Sequence, residues 1–217
     1  MTVANPSSWG VDLYWLPLGV RGRCVRLSGK TFEAVAAMTT QRSRRDLYHS
    51  FLEVRAPEGR FVIEMGPAFD HLPAERGVVA TGAVGFAWGA ALRIFRYEVR
   101  CWPDGVSAFE FAVESPVRLT TEGHVASAVL RLVGDVPTPV WGRDELDAGE
   151  MWTCNSVTSW LLGRAGIGNS IQPPVGGRAP GWDAGLAVAA RADVLQAGTR
   201  DSQAARGVRA HCRLLRI

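Results

Sequence analysis

Cys154 lies in the stretch GEMWTCNSVTSWLL, residues 149–162, where both its type and its place could carry chemistry. Thr153 before it is an N-cap type, and Cys154, Val157 and Leu161 fall at i, i+3 and i+7. That spacing predicts a helix that opens at the cysteine and buries the face the three residues share. A thiol at a helix N-terminus meets the positive end of the helix dipole, which favours thiolate, the nucleophilic form. Cysteine is also a small hydrophobe that packs in cores, so nucleophilic catalysis needs a base and an orienting group supplied from elsewhere in the chain.

Four histidines, His49, His71, His124 and His211, are the candidate bases. His124 falls inside an expected helix, where a capping or surface role suits it, and His211 lies in a basic tail. His71, beside Asp70 in a loop, is the reserve candidate. His49 stands mid-strand in LYHSFLEV, on the face of Leu47 and Phe51, where a chargeable ring needs a reason. The plain alternative is a half-buried histidine bonded to a backbone carbonyl. Glu64, inside the apolar run FVIEM, is costly to bury unless it is paired. If residues 55–58 form a four-residue loop, Val54 pairs with Gly59 and His49 stands directly opposite Glu64, with Cβ atoms about 4.5–5.5 Å apart. A loop longer or shorter by one residue would put the two on opposite faces. Cys154, His49 and Glu64 would then form a catalytic triad for acyl transfer. In it His49 activates the thiol, Glu64 orients the ring, and the Cys154 backbone N–H at the helix start receives the oxyanion.

A strand histidine, an acidic residue on the next strand, and then a cysteine opening a helix resembles the circularly permuted papain-like fold. That group includes the YiiX-like proteins and the lecithin:retinol acyltransferase relatives of the wider NlpC-type superfamily. VIEM resembles the acidic strand of that pattern, and CNSVTSWLL its nucleophile helix. The resemblance covers roughly residues 45–66 and 150–165, together with the order of the three residues along the chain. It implies a cysteine hydrolase or acyltransferase without a cofactor or metal.

Three functions follow. The first is an amide hydrolase or peptidase acting on a small peptide, cell-wall fragment or amidated metabolite. The second is an acyltransferase or thioesterase on lipid-like or thioester-borne acyl groups, a reading that gains if the apolar run 77–92 is exposed. The third is a catalytically inactive binding module on the same scaffold. Trp141, Trp152 and Trp182 are candidate walls of a substrate cleft, with core packing as the alternative for each. Asp144, Glu145 and Asp147 are candidates for a cationic substrate group or for loop solvation. PVGGRAPGW, residues 174–182, is a candidate lid or pocket rim.

The elements needed to position these residues can be read from pattern. VDLYWLPLG and RCVRLSG are expected strands, and TFEAVAAMTTQRS a strand or short helix. DLYHSFLEVR and RFVIEM form a hairpin around APEG, and LRIFRYEVRCW and VSAFEFAV a second one around PDG. TTEGHVASAVLRLVG is an expected helix ending at Gly134. Strands followed by helices predict a single α+β domain, an antiparallel sheet packed against the Cys154 helix. Within it, residues 1–44 hold N-terminal strands, 45–190 the catalytic core and 191–217 a basic tail. The chain has 217 residues, 47% of them apolar, enough for a sizeable core. A net charge of +3 is too small to argue for nucleic acid, and the 23 arginines against Lys30 fit a GC-rich bacterial genome. Cys24, Cys101, Cys154 and Cys212 are scattered without zinc spacing, and no signal peptide is visible, so a reduced, cytoplasmic protein is expected. The uncharged run at 77–92 is shorter than the roughly 20 residues of a membrane span, and its glycines suggest buried strands with a close-packed loop. The expected partner is a small-molecule or peptide substrate.

Overall fold

A computed structural model describes residues 9–19, 33, 37–38, 41–68, 77–168 and 170–194. The fold is α+β. Six antiparallel strands are β1 (Gly10–Pro17), β2 (Tyr48–Ala56), β3 (Gly59–Pro67), β4 (Val78–Ala83), β5 (Arg96–Pro103) and β6 (Val113–Thr120). They lie in the order β4-β5-β3-β2-β1-β6. The helices are α1 (Gly123–Leu132), α2 (Cys154–Arg164) and α3 (182–194). Among the described residues no helix is long and apolar enough to cross a membrane. The expected strand RCVRLSG, His71 with Asp70, His211, Cys24, Cys212 and the tail beyond 194 lie outside the described residues.

Alternation sorts the strand residues onto two faces, and both are covered. Val11, Leu13, Trp15, Leu52, Val54, Ile63, Met65 and Val99 join the main core with the helices. Tyr14, Leu16, Phe51, Val62 and Ala108 form a second cluster on the opposite face. This explains the segment 104–112, which does not form the expected hairpin with β5. The chain leaves β5 and makes a short 3-10 turn, Phe109–Phe111, before entering β6 beside β1. Phe109 meets Tyr14 and Phe51 edge-on, with ring centroids 4.9 and 5.3 Å apart. Covering that face requires a crossing, and a hairpin would leave it bare. β1, from the N-terminal segment, lies between β2 and β6 and so is an interior strand of the sheet.

The run 77–92 also departs from expectation. β4 is an edge strand with its first residues exposed, and the following 3-10 segment Ala87–Ala91 turns Trp88 outward. The glycines there serve local turns and close contacts, Gly89 packing under the Phe86 ring. The helix expected over TTEGHVASAVLRLVG is α1, closed by a 3-10 turn at Val133–Asp135.

Candidate active site

The hairpin β2–β3 carries His49 and Glu64, and its register differs from the expected one. Ala56 pairs with Gly59, so Pro57 and Glu58 alone make the turn, and the ladder runs to Leu52 opposite Ile63. The four-residue loop is thus replaced by a two-residue loop, the commonest hairpin connection. The shift is two residues, so His49 and Glu64 keep the same face. The ladder ends at Leu52 and Ile63, before either residue, so His49 and Glu64 are not partners across it. Direct opposition of His49 and Glu64 is therefore corrected.

Glu64 is buried at 5% exposure, and its compensation comes from β5. Arg100, its ladder partner, donates from Nη1 to Oε1 at 3.4 Å, and the Ser107 hydroxyl donates to Oε2 at 3.2 Å. Arg100 also holds Glu98, at 3.0 Å from Nε, and the Pro67 carbonyl at 3.0 Å. Sequence reasoning missed Arg100. The available signal was a second buried charge, in the strand RYEVRCW, of opposite sign.

Cys154 opens α2 as expected, but the helix is not one-sided. Every residue from Cys154 to Leu162 is buried, between the sheet on one side and α3 on the other. The buried Asn, Ser and Thr side chains tolerate this because each has a partner, while among the described residues the Trp160 indole N–H is buried without one. The Thr153 hydroxyl accepts from Asn155 N at 3.1 Å, and Ser156 Oγ accepts from Thr153 N at 2.9 Å, a full capping box. The same hydroxyls donate outward, Thr153 to the Pro180 carbonyl and Ser156 to the Gly181 carbonyl, both at 2.7 Å. Ser159 donates to the Trp182 carbonyl at 2.7 Å. Gly181 has φ +84°, and a Cβ there would lie 2.5 Å from both capping hydroxyls.

The residue after the cysteine joins the helix to the histidine strand. Asn155 accepts from the Ser50 hydroxyl at 2.8 Å and donates to the carbonyls of Tyr48 at 2.9 Å and Pro180 at 3.0 Å. Tyr48 and Ser50 flank His49. The β2–β3 ladder has already ended at Leu52, so His49 lies where the two strands part. There the His49 ring and the Cys154 thiol share a hydrogen bond. Burial pushes the thiol up most strongly. The charge and hydrogen bond of His49, helped by the Asn155 N–H and the Thr153 hydroxyl, outweigh it and hold Cys154 below an ordinary cysteine. Cys101 shows the contrast: burial alone pushes it up to about 11.

Trp152 and Trp182 are buried in the main core at 2% and 5% exposure, Trp182 packing on Trp15. They belong to the same core cluster as Cys154, Val157 and Leu161. Trp141 is half-buried against Tyr97. Asp144 accepts from the N–H groups of Ala148 and Gly149, and Glu145 from that of Val140, so both cap their own turn. Arg191 donates to the Asp147 carbonyl at 2.6 Å. The segment 174–182 is tied by backbone hydrogen bonds to the entry of β2. Arg178 bridges to Leu47 and exchanges backbone hydrogen bonds with Asp46 and Tyr48, both 2.8 Å, fixing the entry to β2. His124 is exposed and near Glu122 at 3.3 Å. Cys101 and Cys154 are free thiols, and among the described residues no group of three His, Cys, Asp or Glu is placed to hold a metal.

Comparison with protein-family models, with curated proteins and with solved structures found no match, so the case for this site rests on the chain's own residues.

Proposed function

We propose that the chain is a cysteine-dependent acyl-transfer enzyme of permuted papain-like arrangement, with Cys154 as nucleophile and His49 as general base. The observation that carries this reading is the buried, hydrogen-bonded Cys154–His49 pair at the start of α2, with the thiol held below its ordinary value. A structural core cysteine would show the opposite shift, as Cys101 does.

The thiolate attacks the carbonyl carbon of an amide, ester or thioester. The new C–S bond forms as the carbonyl electron pair moves to oxygen, where the backbone N–H of Cys154 at the start of α2 can receive it. On collapse the bond to the leaving group breaks and the imidazolium of His49 supplies the proton. Water, deprotonated by His49, then cleaves the acyl-enzyme, or an amine or alcohol takes the acyl group. Glu64 is the third member of the proposed site. It lies on the strand beside β2 and on the same face as His49, its carboxylate steadied by Arg100 and Ser107.

Amide hydrolysis on a small peptide or amidated metabolite is the leading reading. The exposure of Trp88, Leu92 and Ile94 in the run after β4 favours the second, transfer or hydrolysis of lipid-like acyl groups. A small activated ester, followed by peptide-resolved mass spectrometry, tests the common chemistry. The expected result is one acyl adduct, on Cys154, at neutral pH, absent in Cys154→Ala and strongly reduced in His49→Ala. Modification of Cys154 no faster than of Cys101 in the folded chain would overturn the assignment and leave the inactive-module reading.

A further inference from the structure

The connection between β4 and β5 exposes several large apolar side chains close together in sequence. Trp88 is 77% exposed, Ile94 61% and Leu92 55%, within seven residues of one another. The loop is built to hold them there. Phe86 stacks on Trp88 with centroids 4.2 Å apart and packs against Phe95 at 5.1 Å. Gly89 lies so close under Phe86 that a Cβ would come within 2.4 Å of the ring. Two 3-10 turns, Ala87–Ala91 and Arg93–Phe95, fix the backbone. An ordered loop that spends its inner aromatic on support and turns its largest apolar side chains to water marks an interaction surface.

Its charge says what kind. From Gly77 to Tyr97 the sequence has no acidic residue and two arginines, Arg93 and Arg96. Both are exposed, and both bind backbone carbonyls with part of the guanidinium, Arg93 that of Ala68 at 2.9 Å and Arg96 those of Ala90 and Ala91. Arg143, from the neighbouring segment, reaches in to the Gly85 carbonyl. Among the described residues none of the three is paired with a carboxylate. The nearby Asp144 and Glu145 accept from the backbone of their own turn. Exposed tryptophan and aliphatic side chains within a cationic rim match the boundary between acyl chains and anionic headgroups.

We propose that the 86–96 loop docks on an anionic phospholipid surface, with Trp88, Leu92 and Ile94 at the acyl boundary and Arg93 and Arg96 at the headgroups. The loop is strung to the nucleophile by backbone hydrogen bonds. Gly85 N donates to the Trp141 carbonyl at 3.0 Å, Gly142 N to the Trp152 carbonyl at 2.9 Å, and Trp152 precedes Cys154 by two residues. Docking would thus bring membrane-borne acyl groups to the side of the fold that carries the thiol. That clause alone rests on the acyl-transfer reading.

The test is co-sedimentation of the full chain with phosphatidylcholine vesicles, with and without phosphatidylglycerol. The wild type is expected to bind the anionic vesicles at low salt, to release partly as salt screens the arginines, and to lose Trp88 quenching by brominated lipid in Trp88→Phe. Ile94→Ser, which leaves the Phe86–Trp88 stack intact, is expected to weaken partitioning several-fold, and Trp88→Ala/Ile94→Ser by about tenfold or more, with unchanged circular dichroism. Cys154→Ala is expected to bind like wild type, which separates docking from catalysis. Binding that survives the double substitution would assign the attraction to the basic C-terminal arginines and overturn the proposal. So would self-association that Trp88→Ala abolishes in a chain indifferent to vesicles, which would make the loop's partner a second copy.

Discussion

Asn155→Ala removes one side chain and three contacts between buried elements. Its amide ties α2 to the Ser50 hydroxyl, the Tyr48 carbonyl and the Pro180 carbonyl at 2.8, 2.9 and 3.0 Å. At a net ~1 kcal/mol for each bond, their loss alone costs about 3 kcal/mol. Pro180 keeps the Thr153 hydroxyl as a donor, but the buried Ser50 hydroxyl loses the acceptor it has here, which adds roughly 1 kcal/mol or more. A total near 4 kcal/mol is a large share of the ~5–15 kcal/mol that holds a domain together. Urea unfolding of the full chain measures it. The same substitution frees Tyr48 and Ser50, the two neighbours of His49, so the ring should sit less well on the thiol. The pH profile of Cys154 alkylation should then move to higher pH even in conditions where the variant is folded, a shift that lost packing alone does not produce. Asn155→Asp keeps the shape and the Ser50 bond but places a carboxylate beside the thiolate. It should raise the thiol further than alanine does. A variant Asn155→Ala within about 1 kcal/mol of wild type, with the alkylation profile unmoved, would refute the claim that this amide sets the Cys154–His49 distance.

Other outcomes follow from the same geometry. His49→Ala should carry the Cys154 alkylation profile above that of an ordinary thiol, because burial, the strongest influence on the group, then acts with less opposition; a profile unchanged from wild type would contradict the pairing. In native wild type, Cys154 should react at neutral pH while Cys101, at about 11, stays inert until alkaline conditions, a contrast read by peptide mass spectrometry across pH. Gly181→Ala should lower Tm by roughly 5 °C or more by calorimetry, since the residue has φ +84° and a new Cβ would meet both capping hydroxyls. Arg100→Leu should cost about 3–5 kcal/mol in denaturant unfolding by leaving the buried Glu64 carboxylate without its cation, and Glu64→Gln clearly less, because Glu98 still holds Arg100.

The hairpin, its two strands and the opening of α2 were legible because they depend on local signals: alternation, a turn dipeptide and an N-cap. The register was not. Pro57 and Glu58 suffice for the turn, and no local feature in APEG marks Arg55 and Ala56 as strand. Face, however, depends on parity, so a two-residue error kept His49 and Glu64 together on one side while changing what stands opposite. The second hairpin failed for a non-local reason. VSAFEFAV alternates like a strand, but Phe109 is drawn to the Tyr14–Phe51 pair, on strands distant in sequence, and that contact decides its path. The run 77–92 misled in the same way. Its apolar composition reads as burial, and only the edge position of β4 shows that no layer remains to cover it.

The burial of α2 on all sides is the deeper reason the start of the helix was legible while its support was not. A one-sided stripe predicts a helix lying on a core, yet Asn155, Ser156, Thr158 and Ser159 are as enclosed as Val157 and Leu161. Their hydroxyls and amide look like a solvated face in the sequence. In the fold each faces a particular carbonyl, of Tyr48, Ser50, Pro180, Gly181 or Trp182. Those acceptors come from β2 on one side and from the chain entering α3 on the other. A helix whose buried amide and hydroxyl groups are held by two flanking segments resists sliding or turning without stranding several buried donors at once. The thiol at its first residue is thereby fixed relative to the strand that carries His49. The polar residues after Cys154 hold the geometry that the proposed chemistry needs, and they do so from positions where composition alone suggests contact with water.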